Sequence, residues 1–321
     1  MNSDEILAAS PWIEVFVRNI YWRFRFVNGL LAKRSNRASK TFAAQPRSVD
    51  VAIPFEEVCN QLARLGVKSG DVMIVHSSGV ALRPTGLKPK EICERLLEFL
   101  SPSGTLALPA IPFFAEEPTG LDRLSDAICE QRLLYDVRKT RAWTGALPKA
   151  MLAFPNAVRS RHPLNSMVAI GPLASKMMES NLHGDRPMAC GPDSSWKFCA
   201  DQNAHIVCLG VDTAHSLTMI HVAEDSWADS WPIGNWYRDR QFRIVDGDYE
   251  ADITVRERRP KWAMYYGERT LQKDLIHAGI LKIVFVEGLR IEVCRSAELI
   301  DFLNSRKGSG YPYWVPFWVK N

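Results

Sequence analysis

Apolar and polar positions follow two alternating periods along most of the chain. Short apolar runs bounded by turn residues predict buried strands at Val72–Val75, Thr105–Pro109, Met167–Ile170, Ile206–Leu209 and Ile283–Val286. Between them, apolar residues recur every three or four positions. This predicts helices over 54–65, 88–100, 147–154, 173–180, 197–200, 265–278 and 296–304, with Gly66 as a natural stop for the first. Helices and strands in alternation argue for an α/β layer architecture. Phe242–Val245 and Tyr249–Val255 alternate like hairpin strands around Asp246-Gly247-Asp248. Residues 110–140, with Pro112, Pro118 and mixed charge, read as one long loop over a site.

The two ends differ from this pattern. Ser10-Pro11 reads as a helix cap and first position. The segment that follows interleaves Trp12, Phe16, Tyr21, Trp22, Phe24 and Phe26 with Arg18, Arg23 and Arg25, and it closes on the basic run Lys33-Arg34-Ser35-Asn36-Arg37. Such a segment suits an anionic membrane surface, or else a helix docking its aromatic side on the domain or on a second subunit. The expected organisation is a helical extension and linker over 1–47, a main domain over 48–310 and an aromatic tail over 311–321.

The net charge of +4 is too mild to imply a nucleic-acid partner. Seven scattered cysteines with no Cys-x-x-Cys pair point to structural thiols in a reducing compartment. Asp4 and Glu5 precede the first apolar residues where a secretory leader would be basic, and no run is long and apolar enough to span a bilayer. The expected location is cytoplasmic, with peripheral contact at the inner membrane surface through residues 10–40 as an addition.

Candidate chemistry gathers at strand and helix edges. His76-Ser77-Ser78 follows the first strand, at the carboxyl edge where open α/β sheets place ligands. Arg161-His162-Pro163 with Ser166, and Gly191-Pro192-Asp193-Ser194-Ser195, precede other elements. Beyond the strand at 206–209, His221 and Glu224 stand three apart, so a helix puts them on one face, an arrangement suited to acid/base work. There is no Gly-x-Ser-x-Gly elbow, no Walker loop and no complete dinucleotide fingerprint. A zinc site from His76, His162 and His221 has no support in their spacing, and no metal is expected.

Six blocks in order carry a family resemblance: LGVKSGDVMIVHSS (65–78), LLEFLSPSGTLALP (96–109), WTGALPKAM (143–151), RSRHPLNSMVAIGP (159–172), GPDSSW (191–196) and LGVDTAHSLTMIHVAE (209–224). With them the chain resembles the antibiotic N-acetyltransferases typified by the aminoglycoside 3-N-acetyltransferases. The resemblance implies a mixed central sheet flanked by helices, acetyl-CoA as donor and an amine of an amino-sugar as a small-molecule acceptor. It implies His162 or His221 as general base, the two unranked, with Glu224 orienting an imidazole or holding the acceptor. It sets His76, Ser77, Ser78, Thr144, Gly145 and Ser166 on the CoA side and Asp193, Glu224 and Asp225 on the acceptor side. Direct transfer is expected rather than an acetyl-cysteine at Cys190. One stretch departs from the drug-modifying members: DTAHSLTMI keeps Thr218 but has His215-Ser216-Leu217 in place of the expected polar pattern. A cell-envelope polysaccharide amino-sugar is therefore an alternative acceptor. A membrane-surface or assembly protein on a decayed acetyltransferase scaffold is the reading from another class, and a homodimer stays open.

Overall fold

A computed structural model describes residues 3–23 and 52–319. Among the described residues, ten strands form two sheets: β1 (Val72–Ser77), β2 (Thr105–Pro109), β3 (Arg132–Asp136), β4 (Val158–Arg159), β5 (Met167–Ile170), β6 (His205–Leu209), β7 (Tyr237–Asp246), β8 (Tyr249–Arg258), β9 (Lys282–Val286) and β10 (Leu289–Arg295). The larger sheet runs β4-β5-β2-β1-β6-β10-β9. Its centre, β2-β1-β6, is parallel, and the strands on both sides join antiparallel. The smaller sheet is β3-β7-β8.

The central strands are buried on both faces, which is why they read as continuous apolar runs. Alternate residues supply two cores. Met73, Val75, Leu106, Leu108 and Val207 face the helices Phe55–Arg64, Pro89–Leu100 and Ala146–Met151. Ile74, Ala107, Ala169 and Ile206 face Trp196, Cys199, Ile220, Leu275 and Leu299 from helices on the other side. The mixed sheet flanked by helices matches the expected fold class.

Three expectations are corrected. Residues 110–140 are not one loop: Arg132–Asp136 forms β3, parallel to β7 and buried at Leu133 and Tyr135. The exposed Leu134 between them hides the alternation. β10 was not expected at all, because Arg290 and the fully buried Glu292 interrupt its apolar run. His76 and Ser77 lie within β1 rather than after it.

The amino-terminal helix Pro11–Arg23 docks by its polar side. Glu14 is 1% exposed and receives the Arg269 guanidinium at 3.1 Å, and Asn19 Nδ2 donates to the Met264 carbonyl at 3.1 Å. Arg18 pairs with Glu268. Trp12 and Phe16 remain on the outside. Trp12 and Phe16 thus take no part in the docking, while the side chains of Tyr21 and Trp22, the residues Phe24 and Phe26, and the basic run at 33–37 lie outside the described residues. Tyr311 and Tyr313 of the aromatic tail pack into the main domain, whereas Phe317 and Trp318 stay exposed.

β6 ends at Gly210, where the chain turns at φ +69° with Ala81 directly opposite. A Cβ there would lie 2.2 Å from the Ala81 Cβ. Gly210→Ala should therefore combine a backbone penalty with overpacking, about 2–4 kcal/mol. Gly86→Ala, at φ +73° with no atom within 4 Å of its Cβ, should lose only the backbone part, about 1–2 kcal/mol. Urea unfolding of both variants checks the difference; equal losses would overturn the close-packing account.

Candidate active site

The stretch after β6 is held from two sides. Asp212 caps the turn Thr213–Ser216 by accepting the His215 N–H at 3.0 Å. Glu292, on neighbouring β10, accepts the Thr213 N–H at 2.7 Å. The chain then enters the helix Ile220–Asp225, whose buried Ile220, Val222 and Ala223 seat it on the core. Its other side points into a cleft of about 610 Å³.

In that cleft His221 Nδ1 lies 3.0 Å from Glu224 Oε2. Among the described residues, His221 Nε2 has no hydrogen-bond partner in the protein. Glu224 also accepts from the Tyr313 hydroxyl at 2.6 Å and lies 3.6 Å from the Arg258 guanidinium. Burial pushes its pKa up, but the His221 and Arg258 charges and these hydrogen bonds outweigh it, so Glu224 stays below the usual carboxylate range. Burial and the Arg258 charge together hold His221 below the ordinary histidine value, against the raising effect of Glu224. The ring is therefore neutral at physiological pH and able to take a proton.

Asp225 behaves oppositely. Burial and the adjacent Glu224 charge push it up to about 7, although the Tyr237 hydroxyl donates to it at 2.9 Å and the Cys190 N–H at 3.1 Å. Two neighbouring carboxyls with pKa values driven apart are a common feature of acid/base sites.

The structure does not bring every expected residue here. His162 is buried outside the cleft, with Nδ1 accepting the Leu164 N–H at 3.2 Å and Nε2 3.3 Å from the Pro187 carbonyl. Burial lowers it to about 4, so a neutral ring serving backbone groups fits it. Ser166 bonds to Tyr135 and Ser160 in the interior, and Asp193 pairs with His183 on the surface. The Cys190 thiol is pushed well up by burial, which leaves it a poor nucleophile. His76 stacks on Trp196 within the core, and Ser78 caps the short helix Gly79–Leu82. Thr144 donates to the Pro109 carbonyl at 2.5 Å. Gly145 lines a neighbouring groove of about 440 Å³ with Phe113, Arg141, Trp143, Ala146 and Lys149. Phe113 and Trp143 line both spaces, so groove and main cleft adjoin. Among the described residues, no group of three or more His, Cys, Asp or Glu is placed to hold a metal ion.

Several cleft residues were not singled out by the pattern. Arg256, Glu257 and Arg258 come from the end of β8, three residues beyond the expected strand. Glu117 and Arg123 come from the segment before β3. The alternating charges of Arg256-Glu257-Arg258 are the available signal, but they also suit a solvated strand.

Over residues 74–306 the chain matches the family described as aminoglycoside 3-N-acetyltransferase. The chain belongs to this family. Its relatives include aminoglycoside N(3)-acetyltransferase VIII of Streptomyces fradiae, 31% identical over 77% of this chain and 90% of that one. Aminoglycoside N(3)-acetyltransferase IX of Micromonospora chalcea is 32% identical over 51% of this chain, which spans 59% of that relative's length. Among solved structures, aminoglycoside acetyltransferase AAC(3)-Xa aligns with a TM-score of 0.66 at 21% identity, covering 87% of this chain and 98% of that one. AAC-IIIb bound to CoASH aligns with a TM-score of 0.66 at 18% identity, covering 81% and 98%. AAC-VIa bound to sisomicin aligns at 0.64 and 21%, covering 80% and 100%. These likenesses bear out the expected acyltransferase fold and family.

The raised Asp225 has a consequence for stability. An acid whose folded pKa exceeds its unfolded value binds more protons when folded, so stability falls as pH rises from about 4 through about 7. Asp225→Asn can keep its Oδ1 as acceptor for the Cys190 N–H and turn its Nδ2–H toward the Tyr237 hydroxyl oxygen, without the charge. It should flatten this dependence and stabilise the fold at pH 8, by up to about 4 kcal/mol. Thermal melts at pH 5 and 8 check it; a parallel fall in both proteins would overturn the assignment.

Proposed function

We propose that the protein is an acetyl-CoA-dependent N-acetyltransferase acting on an amine of an amino-sugar, with His221 as general base. The observation that carries this reading is the His221–Glu224 pair at the wall of the cleft, with Nε2 left unpartnered. Glu224 fixes the ring and stabilises the imidazolium that forms. The amine nitrogen attacks the acetyl carbonyl. As the N–C bond forms and the C–S bond breaks, the amine proton passes to His221 Nε2 and the thiolate of CoA departs. Asp225, pushed up to about 7, carries less than a full negative charge beside Glu224 near neutrality.

The adjoining groove suits the donor. Arg141 and Lys149 offer charges for phosphates, and Gly145, at φ +118° and beside the carboxyl edge of β1, lets a pantetheine arm pass close to the backbone. The CoASH-bound relative supports acetyl-CoA as the donor class. The family's named substrates support an amino-sugar acceptor.

His221→Ala should lower kcat/KM by about 10²–10⁴-fold in an assay of CoA release with an accepted amine. His162→Ala should act mainly through stability, seen as a lower melting temperature with kcat/KM far less affected. Since His221 sits below its ordinary value, the acidic limb of the kcat/KM profile should lie under pH 6.5. Arg258→Gln removes a charge that depresses it and should move the limb up. Glu224→Gln removes a raising charge and should move it down, with a loss in rate. A limb unmoved by both variants would rule out His221 as the titrating base.

A second reading concerns location. We infer that the outward face of the helix Pro11–Arg23 meets a lipid surface, since Trp12 and Phe16 stand exposed while the polar side is docked. Trp12→Ser with Phe16→Ser should cut co-sedimentation with anionic vesicles tenfold or more, leaving transfer in solution unchanged. Equal binding by both proteins would overturn the attachment.

A further inference from the structure

Three of the four carboxylates that line the cleft are already paired with arginines of the protein. Glu117 receives Arg240 at 2.7 Å, and Glu257 receives Arg238 at 2.6 Å and Arg240 at 3.2 Å. Both arginines are buried behind the cleft wall. Glu224 is matched by Arg258 and hydrogen-bonded to the neutral His221 ring, and Asp225 accepts from the Tyr237 hydroxyl without an arginine partner of its own. The wall also carries two guanidiniums with little or no compensation. Among the described residues, the exposed side chain of Arg123 has no ion pair or hydrogen bond, and Arg256 lies over the Tyr237 ring at 5.3 Å with the solvent-exposed Asp229, at 3.5 Å, as its one carboxylate partner.

An aminoglycoside carries several ammonium groups, and each needs a carboxylate or carbonyl to replace its hydration when it is bound. This cleft offers one amine position beside His221 and anion-binding groups around it. We propose that the acceptor is an amino-sugar bearing an acidic group, a carboxylate or a phosphate, held by Arg123 and Arg256 while its single amine faces His221. The forked donors of arginine suit either anion. The proposal rests on the transferase reading above and sharpens its substrate class.

The test is acetylation of glucosamine, 2-amino-2-deoxyglucuronic acid, glucosamine 6-phosphate and gentamicin by the full chain with acetyl-CoA, followed by CoA release and product mass. At least one acidic acceptor should exceed glucosamine tenfold or more in kcat/KM, and the better of the two identifies the anion. Arg123→Gln and Arg256→Gln should each lower the ratio of acidic to neutral acceptor about tenfold, with melting curves confirming folding, and Arg123→Lys should restore part of the ratio. Preference for gentamicin or glucosamine over both acidic sugars overturns the inference and leaves the transferase reading standing. So does a ratio unchanged in both glutamine variants. No acetylated product from any acceptor overturns the transferase reading, and this inference with it.

Discussion

The site depends on one buried charge. Glu224 is 1% exposed, and an unpaired carboxylate at that depth would cost several kcal/mol or take up a proton. Three partners from three parts of the chain prevent this: His221 from its own helix, Arg258 from the end of β8 and Tyr313 from the carboxyl-terminal segment. Arg258 also bonds the Tyr313 hydroxyl, so the partners brace one another. Meeting the needs of Glu224 thus ties the large sheet, the small sheet and the chain end to one point. It also sets His221, because the carboxylate that must be paired is the one that holds the ring.

The two sheets divide the work. The large sheet delivers the helix 220–225 through β6, where Gly210 passes against Ala81 and Glu292 fixes the turn. The small sheet supplies most of the charges on the opposite wall. Arg159 links the two by donating to the carbonyls of Val137 and Thr140 near the end of β3 and to that of Ala110 after β2. The segment carrying Phe113, Glu117 and Arg123 is therefore fixed at its root.

Local pattern shows the large sheet well and the small one poorly. β2 and β5 and the helix 296–304 appear where the apolar runs predict them, because both faces of those strands, or one face of that helix, are buried. β3 and β10 escape notice for opposite reasons: one has an exposed Leu134 between two buried residues, the other a buried Glu292 in an apolar run. The His221–Glu224 pair is local, three residues on a helix, and so can be read from spacing. Arg258 and Tyr313 join it from 34 and 89 residues beyond Glu224, distances at which no periodicity operates; only the fold brings them in.

The same distinction bears on where acceptor choice resides. His215-Ser216-Leu217, where the sequence reading expects a departure from the drug-modifying pattern, does not line the cleft. Leu217 is buried in the core, and His215 is held by the Asp212 carboxylate at 2.6 Å. Leu217 and His215 therefore seat the stretch and do not meet the cleft. The charges facing an acceptor come instead from β8 and from the segment before β3, with Arg238 and Arg240 buried behind them. A carboxylate already bound from behind presents little net field to the cleft, so its presence on the wall says less about substrate charge than the guanidiniums left uncompensated in front. Counting acidic residues along the wall would suggest a site for polycations. Following each one to its partner shows that all but Asp225 are balanced by arginines, and the proposed selectivity rests with Arg123 and Arg256.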